Sequence, residues 1–151
     1  MQRTLIGLFM ASALASTAAV ASPSVQLVTE EEMRASQAAP EPLRSRSVPA
    51  PGAPRIELQA PAIDAPVKAP VNIRLAFNTE SPAQARPDSF KAYYGRLRLD
   101  ITQRLLGAAK VTASGIQVDG AALPKGQHRL LLRLEDTLGR IGERSFEFEV
   151  Q

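Results

Sequence analysis

Between Val71 and Val150 apolar and polar residues alternate with a period of two, again and again, in a chain that has no cysteine. VNIRLAFN places Val71, Ile73, Leu75 and Phe77 on one face and Asn72, Arg74 and Asn78 on the other. RLRLDI sets Leu97, Leu99 and Ile101 against Arg96, Arg98 and Asp100. HRLLLRLE turns His128, Leu130, Leu132 and Leu134 inward, and FEFEV does so with Phe146, Phe148 and Val150, leaving Glu147 and Glu149 outside. Successive side chains of a strand point to opposite faces, so this is the pattern of strands with one buried and one wet face. Shorter candidates are Arg55 to Leu58, Phe90 to Tyr94 and Ile116 to Val118. A single helical turn is expected over Thr102 to Leu106, capped by Thr102 and stopped by Gly107.

About seven short strands in the 98 residues from Pro54 to Gln151, punctuated by Gly, Pro, Asn and Asp, predict an all-β fold. The expected architecture is a two-sheet antiparallel sandwich. Without disulfides it must stand on its apolar core.

The last hairpin can be placed residue by residue. Pairing Phe146 with Leu130 sets Arg129 opposite Glu147 and Arg133 opposite Glu143. Opposite charges across a pair support that register, each by ~0.2–1 kcal/mol. The strands then close on Thr137-Leu138-Gly139, where Gly139 takes the left-handed conformation that the loop needs. Arg144 objects to this register, because it falls on the inner face opposite Leu132. A bulge near Ile141-Gly142 would relieve it.

The first 53 residues read differently. MQRTLIGLFMASALASTAAVAS has a basic start at Arg3, an apolar run and Ala19-Val20-Ala21 before Ser22. That is the form of a secretory signal peptide over residues 1–21, cleaved after Ala21. Its removal takes the net charge from +3 to +2, with no basic stripe to call for a nucleic-acid partner. No segment is apolar for long enough to predict a membrane span, and without cysteine there is no lipobox anchor. Residues 22–53 are expected to be a disordered, proline-rich linker with a short helix from Thr29 to Gln37, started by the capping box Thr29-Glu30-Glu31-Glu32. Eight of the twelve prolines lie between Pro40 and Pro70.

The region 54–151 resembles bacterial immunoglobulin-like or fibronectin-III-like modules of exported proteins. The resemblance is carried by PRIELQAP, PVNIRLAF, LRLDIT, and the ending L-P-x-G-x-H-x-L-x-L-x-L-x-D-x-x-G-R followed by F-x-F-x-V. It departs from antibody-type domains in lacking the cysteine pair and tryptophan. Related sandwiches place a tyrosine near the position of His128, bonded to the preceding corner. The resemblance therefore implies a structural role for His128 through a ring N–H.

Residue chemistry argues against an enzyme. His128 is the only imidazole, and one histidine cannot build the usual zinc or copper sites. Copper carriers and oxygenases of similar fold use an N-terminal histidine, whereas the expected mature start is Ser22-Pro23-Ser24 and only Met33 survives cleavage. Calcium needs six to eight oxygens at one place. Asp64, Asp88, Asp100, Asp119 and Asp136 are scattered near turns with no D-x-D-x-D run. No G-x-S-x-G, P-loop or G-x-G-x-x-G is present, and the carboxylates that can be placed face solvent. No cofactor is expected.

The remaining candidate surface is Tyr93, Tyr94, Arg96 and Arg98. Adjacent strand residues face opposite ways, so one tyrosine is expected in the core and one outside beside Lys91 and the arginines. The expected function is exported, non-enzymatic binding or scaffolding, on an unknown protein partner, through edge strands or end loops. The alternative is binding of a cell-wall or other polysaccharide through the tyrosine and arginine surface.

Overall fold

The computed structural model describes residues 24–43 and 48–151. The leader expected over residues 1–21 lies outside them. Nine strands and two helices follow one another: β1 Val25–Gln26, α1 Glu30–Ala38, β2 Arg55–Ala60, β3 Val71–Asn78, β4 Ala85–Tyr94, β5 Leu99–Asp100, α2 Thr102–Gly107, β6 Ala109–Thr112, β7 Gly115–Ala122, β8 Gly126–Asp136 and β9 Ile141–Val150. They form two sheets, one in the order β1-β7-β3-β2 with β6 also on β7, the other in the order β5-β4-β8-β9. The inner faces meet in one core that includes Ile73, Leu75 and Val118 from the first sheet and Phe90, Leu132 and Phe148 from the second. This is the expected all-β sandwich, antiparallel except where β1 runs parallel to β7. No helix among the described residues is long and apolar enough to cross a membrane.

The β8–β9 hairpin has the register read from its charges. Leu130 faces Phe146, Arg129 faces Glu147 and Arg133 faces Glu143. Gly139 closes the loop at φ +76°, and its N–H donates 3.0 Å to the Asp136 carbonyl. The expected bulge is absent: pairing runs without a shift from Gly126–Val150 to Glu135–Ile141. Arg144 stays opposite Leu132 and still reaches solvent, because β9 is the last strand of its sheet.

Besides the bulge, three expectations need correction. RLRLDI is not one strand: Arg96 to Arg98 form a turn, Arg98 takes φ 51°, and Leu97 is 49% exposed at its tip. Only Leu99–Asp100 folds back on Tyr93 and Tyr94. Thr102 does not cap α2. Ile101 precedes the helix without a side-chain cap, and the buried Thr102 hydroxyl accepts from the Ala92 amide at 3.0 Å, tying α2 to β4.

The third correction concerns residues 22–53. Val25 and Gln26 pair with Ala121 and Ala122, which draws Leu27 and Val28 into the core at 1% and 0% exposure. Thr29 and Glu32 then form a reciprocal capping box that starts α1. Glu32 also receives both Arg104 guanidinium nitrogens at 2.8 Å, so α1 is pinned to α2. The Arg104 hydrogen bond, helped by the Thr29 amide, lowers the Glu32 carboxyl to about 2. The Val25–Ala38 segment is therefore part of the sandwich and not of a linker. Three buried apolar side chains, Leu27, Val28 and Met33, fasten it together with the β1–β7 pair and the Glu32–Arg104 bonds.

Candidate functional site

The four residues of the expected surface do not stand together. Tyr94 is 2% exposed and points into the core, so it offers nothing to a partner. Its neighbour Tyr93 is half-buried on the outer face, paired with Leu131 and Asp100. Arg96 is committed within the chain. Its guanidinium donates to the Gln37 and Ala39 carbonyls at 3.0 and 3.1 Å and pairs with Glu41 at 3.2 Å. The Arg96 amide donates to Ser36 Oγ at 2.8 Å. Arg96 is thus a clasp on the end of α1. Arg98 is exposed and lines, with Leu43 and Pro49, a cavity over the outer face of the second sheet.

His128 is 3% exposed, and both ring nitrogens are engaged. Nε2 lies 2.7 Å from the Pro124 carbonyl, which can only accept, so Nε2 carries the proton. Nδ1 therefore accepts from the Tyr94 hydroxyl at 2.9 Å. The Phe148 ring stacks on the imidazole at 5.6 Å. Burial lowers the His128 pKa, against a smaller opposing effect of the Pro124 carbonyl. Burial, with the charge of Glu32, raises Tyr94 to about 12. A buried imidazole bonded to the Tyr94 hydroxyl joins the corner to the core, at the floor of a cavity of about 320 Å³ that Glu41, Arg96 and Arg129 also line.

A pH dependence follows. The unfolded imidazole protonates near its ordinary 6.5, while the folded one resists until a lower pH. The unfolded state then binds more protons, so stability is flat from about pH 7 to about pH 9, below the range where Tyr94 contributes, and falls as pH drops below 6.5, at no more than about 1.4 kcal/mol per unit. Glu32, Asp100 and Asp136 have lowered pKa values from ordinary values of 4.5, 3.8 and 3.8, so their losses come only at lower pH. Urea unfolding at pH 8 and pH 5 should show the decline in the native chain, and His128→Gln should flatten it. An equal decline in the variant would remove His128 as its cause.

Four of the five acidic candidates are occupied, and the fifth, Asp64, stands exposed. Asp88 pairs with Arg86, Asp119 with Arg74 and Asp136 with Arg140, while Asp100 accepts from the Thr102 amide. Among the described residues no group of three or more His, Asp or Glu side chains is placed to hold a metal ion.

The open feature lies at one side of the sandwich. β2 and β9 are each the terminal strand of their sheet and pack on one another. The close approach is at Gly142, where a Cβ would stand 1.7 Å from the Pro54 carbonyl oxygen. From there the two edges flank a groove of about 940 Å³, lined by Pro49 to Gln59 and Pro61 to Ile63 on one side, so that the segment before β2 also borders it, and by Gly142 to Glu147 on the other.

Which backbone groups face it follows from strand geometry. The Val67 amide donates to Glu149 O at 2.7 Å, and the Gln151 amide to Val67 O at 2.9 Å. Odd-numbered residues of β9 thus turn their N–H and C=O away from β8, and alternation extends this to Glu143, Ser145 and Glu147. Among the described residues, Val67 alone bridges this edge, at its far end. In the middle stands Arg144, exposed, its guanidinium carbon 5.7 Å from the Phe146 ring centroid, with no carboxylate partner among the described residues. Sequence reasoning marked Arg144 as an anomaly of register. The edge position that explains it depends on sheet order.

No protein-family model matches the chain, and no curated protein matches it. Among solved structures the chain is similar to CopC from Methylosinus trichosporium OB3b, with 19% identity and a TM-score of 0.43, over 64% of this chain and 94% of that one.

Proposed function

We propose that this is an exported, non-enzymatic binding or scaffolding protein that takes a protein partner by strand addition to β9. Its sandwich serves as an immunoglobulin-like or fibronectin-III-like module, and the leader over residues 1–21 directs it to the periplasm or beyond. The observation that carries the reading is the open edge. Glu143, Ser145 and Glu147 direct backbone donors and acceptors that have no partner among the described residues towards a groove of about 940 Å³. Main-chain hydrogen bonds from an added strand supply affinity, and the flanking side chains supply selection. The polysaccharide alternative loses Tyr94 to the core and keeps one half-buried tyrosine, too little for a stacking platform.

The test is a photo-crosslinking residue placed in vivo at Ser145 and, as control, at exposed Lys110 on β6 of the other sheet. A defined protein adduct is expected from position 145 and none of the same kind from position 110. Ser145→Pro, combined with a crosslinker at Glu147, should abolish the adduct. Ser145 turns its N–H away from β8, so proline removes an outward donor and leaves the hairpin ladder whole. Identical adducts from both sheets, or an adduct indifferent to Ser145→Pro, would end the strand-addition reading.

A further inference from the structure

The side chains along open β9 restrict what can add to it, given the strand-addition reading above. An inward-facing charge on an edge strand opposes unselective pairing. Arg144 is such a charge, and no carboxylate among the described residues neutralises it. On the outer face, Glu143 and Glu147 are exposed at the rim. Their arginine partners, Arg133 at 4.0 Å and Arg129 at 3.3 Å, both lie on the β8 side. An incoming strand would meet the rim glutamates from the opposite side. Beyond Arg144, the groove wall near Phe146 carries Ile56, Leu58 and Pro61.

We infer that β9 accepts an extended segment of a partner protein in antiparallel pairing, with a set charge pattern. Read from its N-terminus, the segment has a basic residue facing Glu147, an apolar one facing Phe146, any residue facing Ser145, an acidic one facing Arg144 and a basic one facing Glu143. Opposed residues of an antiparallel pair share a face, so the two basic positions lie outside and the acidic and apolar positions lie in the groove. A second copy of this chain does not fit. Two β9 strands paired about Ser145 set Glu143 against Glu147 at both ends and put Phe146, not an acid, against Arg144. Like charges directly opposed are destabilising.

Two blocked peptides test this against the exported full chain. The first carries Arg-Val-Thr-Glu-Arg between threonines, and the second has the three charges inverted, Glu-Val-Thr-Arg-Glu. The first should bind about tenfold more tightly or better, since three opposed pairs change sign. It should also shift the amide resonances of Glu143, Ser145 and Glu147. Arg144→Glu should weaken the first peptide, and changing that peptide's Glu to Arg should recover it. Should Arg144→Glu fold poorly, the double variant E143K and E147K, at exposed positions, should reverse the preference between the peptides. Equal affinity for both, or shifts confined to another face, would overturn the charge pattern. A dimer of the chain alone that protects the same amides would replace the partner by a second copy. If the Ser145 adduct stands while the peptides do not discriminate, strand addition survives and this pattern alone falls. If no such adduct forms, the broader reading falls with it.

Discussion

Leu27→Ala should lower the unfolding free energy by about 3 kcal/mol, the usual cost of truncating a fully buried leucine. Leu27 is 1% exposed between the sheets, and Arg104 donates to its carbonyl at 3.2 Å. Residues Val25 and Gln26 hold it there through a parallel pair with β7. Urea unfolding of the native chain and the variant measures the difference, and an unchanged slope would show that the denatured state is unaffected. A change within about 0.5 kcal/mol, the usual range for exposed sites, would mean that the segment is an arm after all.

Gly142→Ala should cost about 3 kcal/mol, at the upper end of overpacking effects. The added Cβ would stand 1.7 Å from the Pro54 carbonyl oxygen and 2.8 Å from its carbon. Those are backbone atoms, so no side chain can swing aside, and β2 must move away from β9. The same movement would widen the groove, and the variant should lose partner crosslinking at Ser145 together with stability. Gly107→Ala is the internal control. It lies at the end of α2 with nothing within 4 Å of the added atom, and alanine there should be neutral or stabilising by up to about 1 kcal/mol. Equal effects of the two substitutions would show that close approach is not the cause.

The hairpin was legible because its information is local. Arg129, Arg133, Glu143 and Glu147 have one register that pairs them all, and Gly139 marks the loop. The capping box at Thr29 and Glu32 was legible for the same reason, since both partners lie within one turn. RLRLDI failed because alternation reports only the order of apolar and polar residues. It does not say whether a strand still has a neighbour there. β4 ends at Tyr94, and the chain turns through Arg98 before Leu99 pairs again. β6 was missed because Ala109-Lys110-Val111-Thr112 alternates over only four residues, with no large apolar side chain but Val111, too short a run to mark a strand.

The candidate surface shows the same division. That one tyrosine of the pair is buried follows from strand geometry; that it is Tyr94 depends on which face meets the other sheet. The residues of the chain settle a two-layer β architecture, the last hairpin and the lack of any familiar catalytic motif, because these rest on patterns within about twenty residues. The place of Leu27 and Val28 in the core, the clasp of Arg96 on α1 and the open edge at Arg144 rest on strands more than forty residues apart coming side by side. Sheet order decides which strand has a neighbour on one side only, and no local pattern of side chains carries that order.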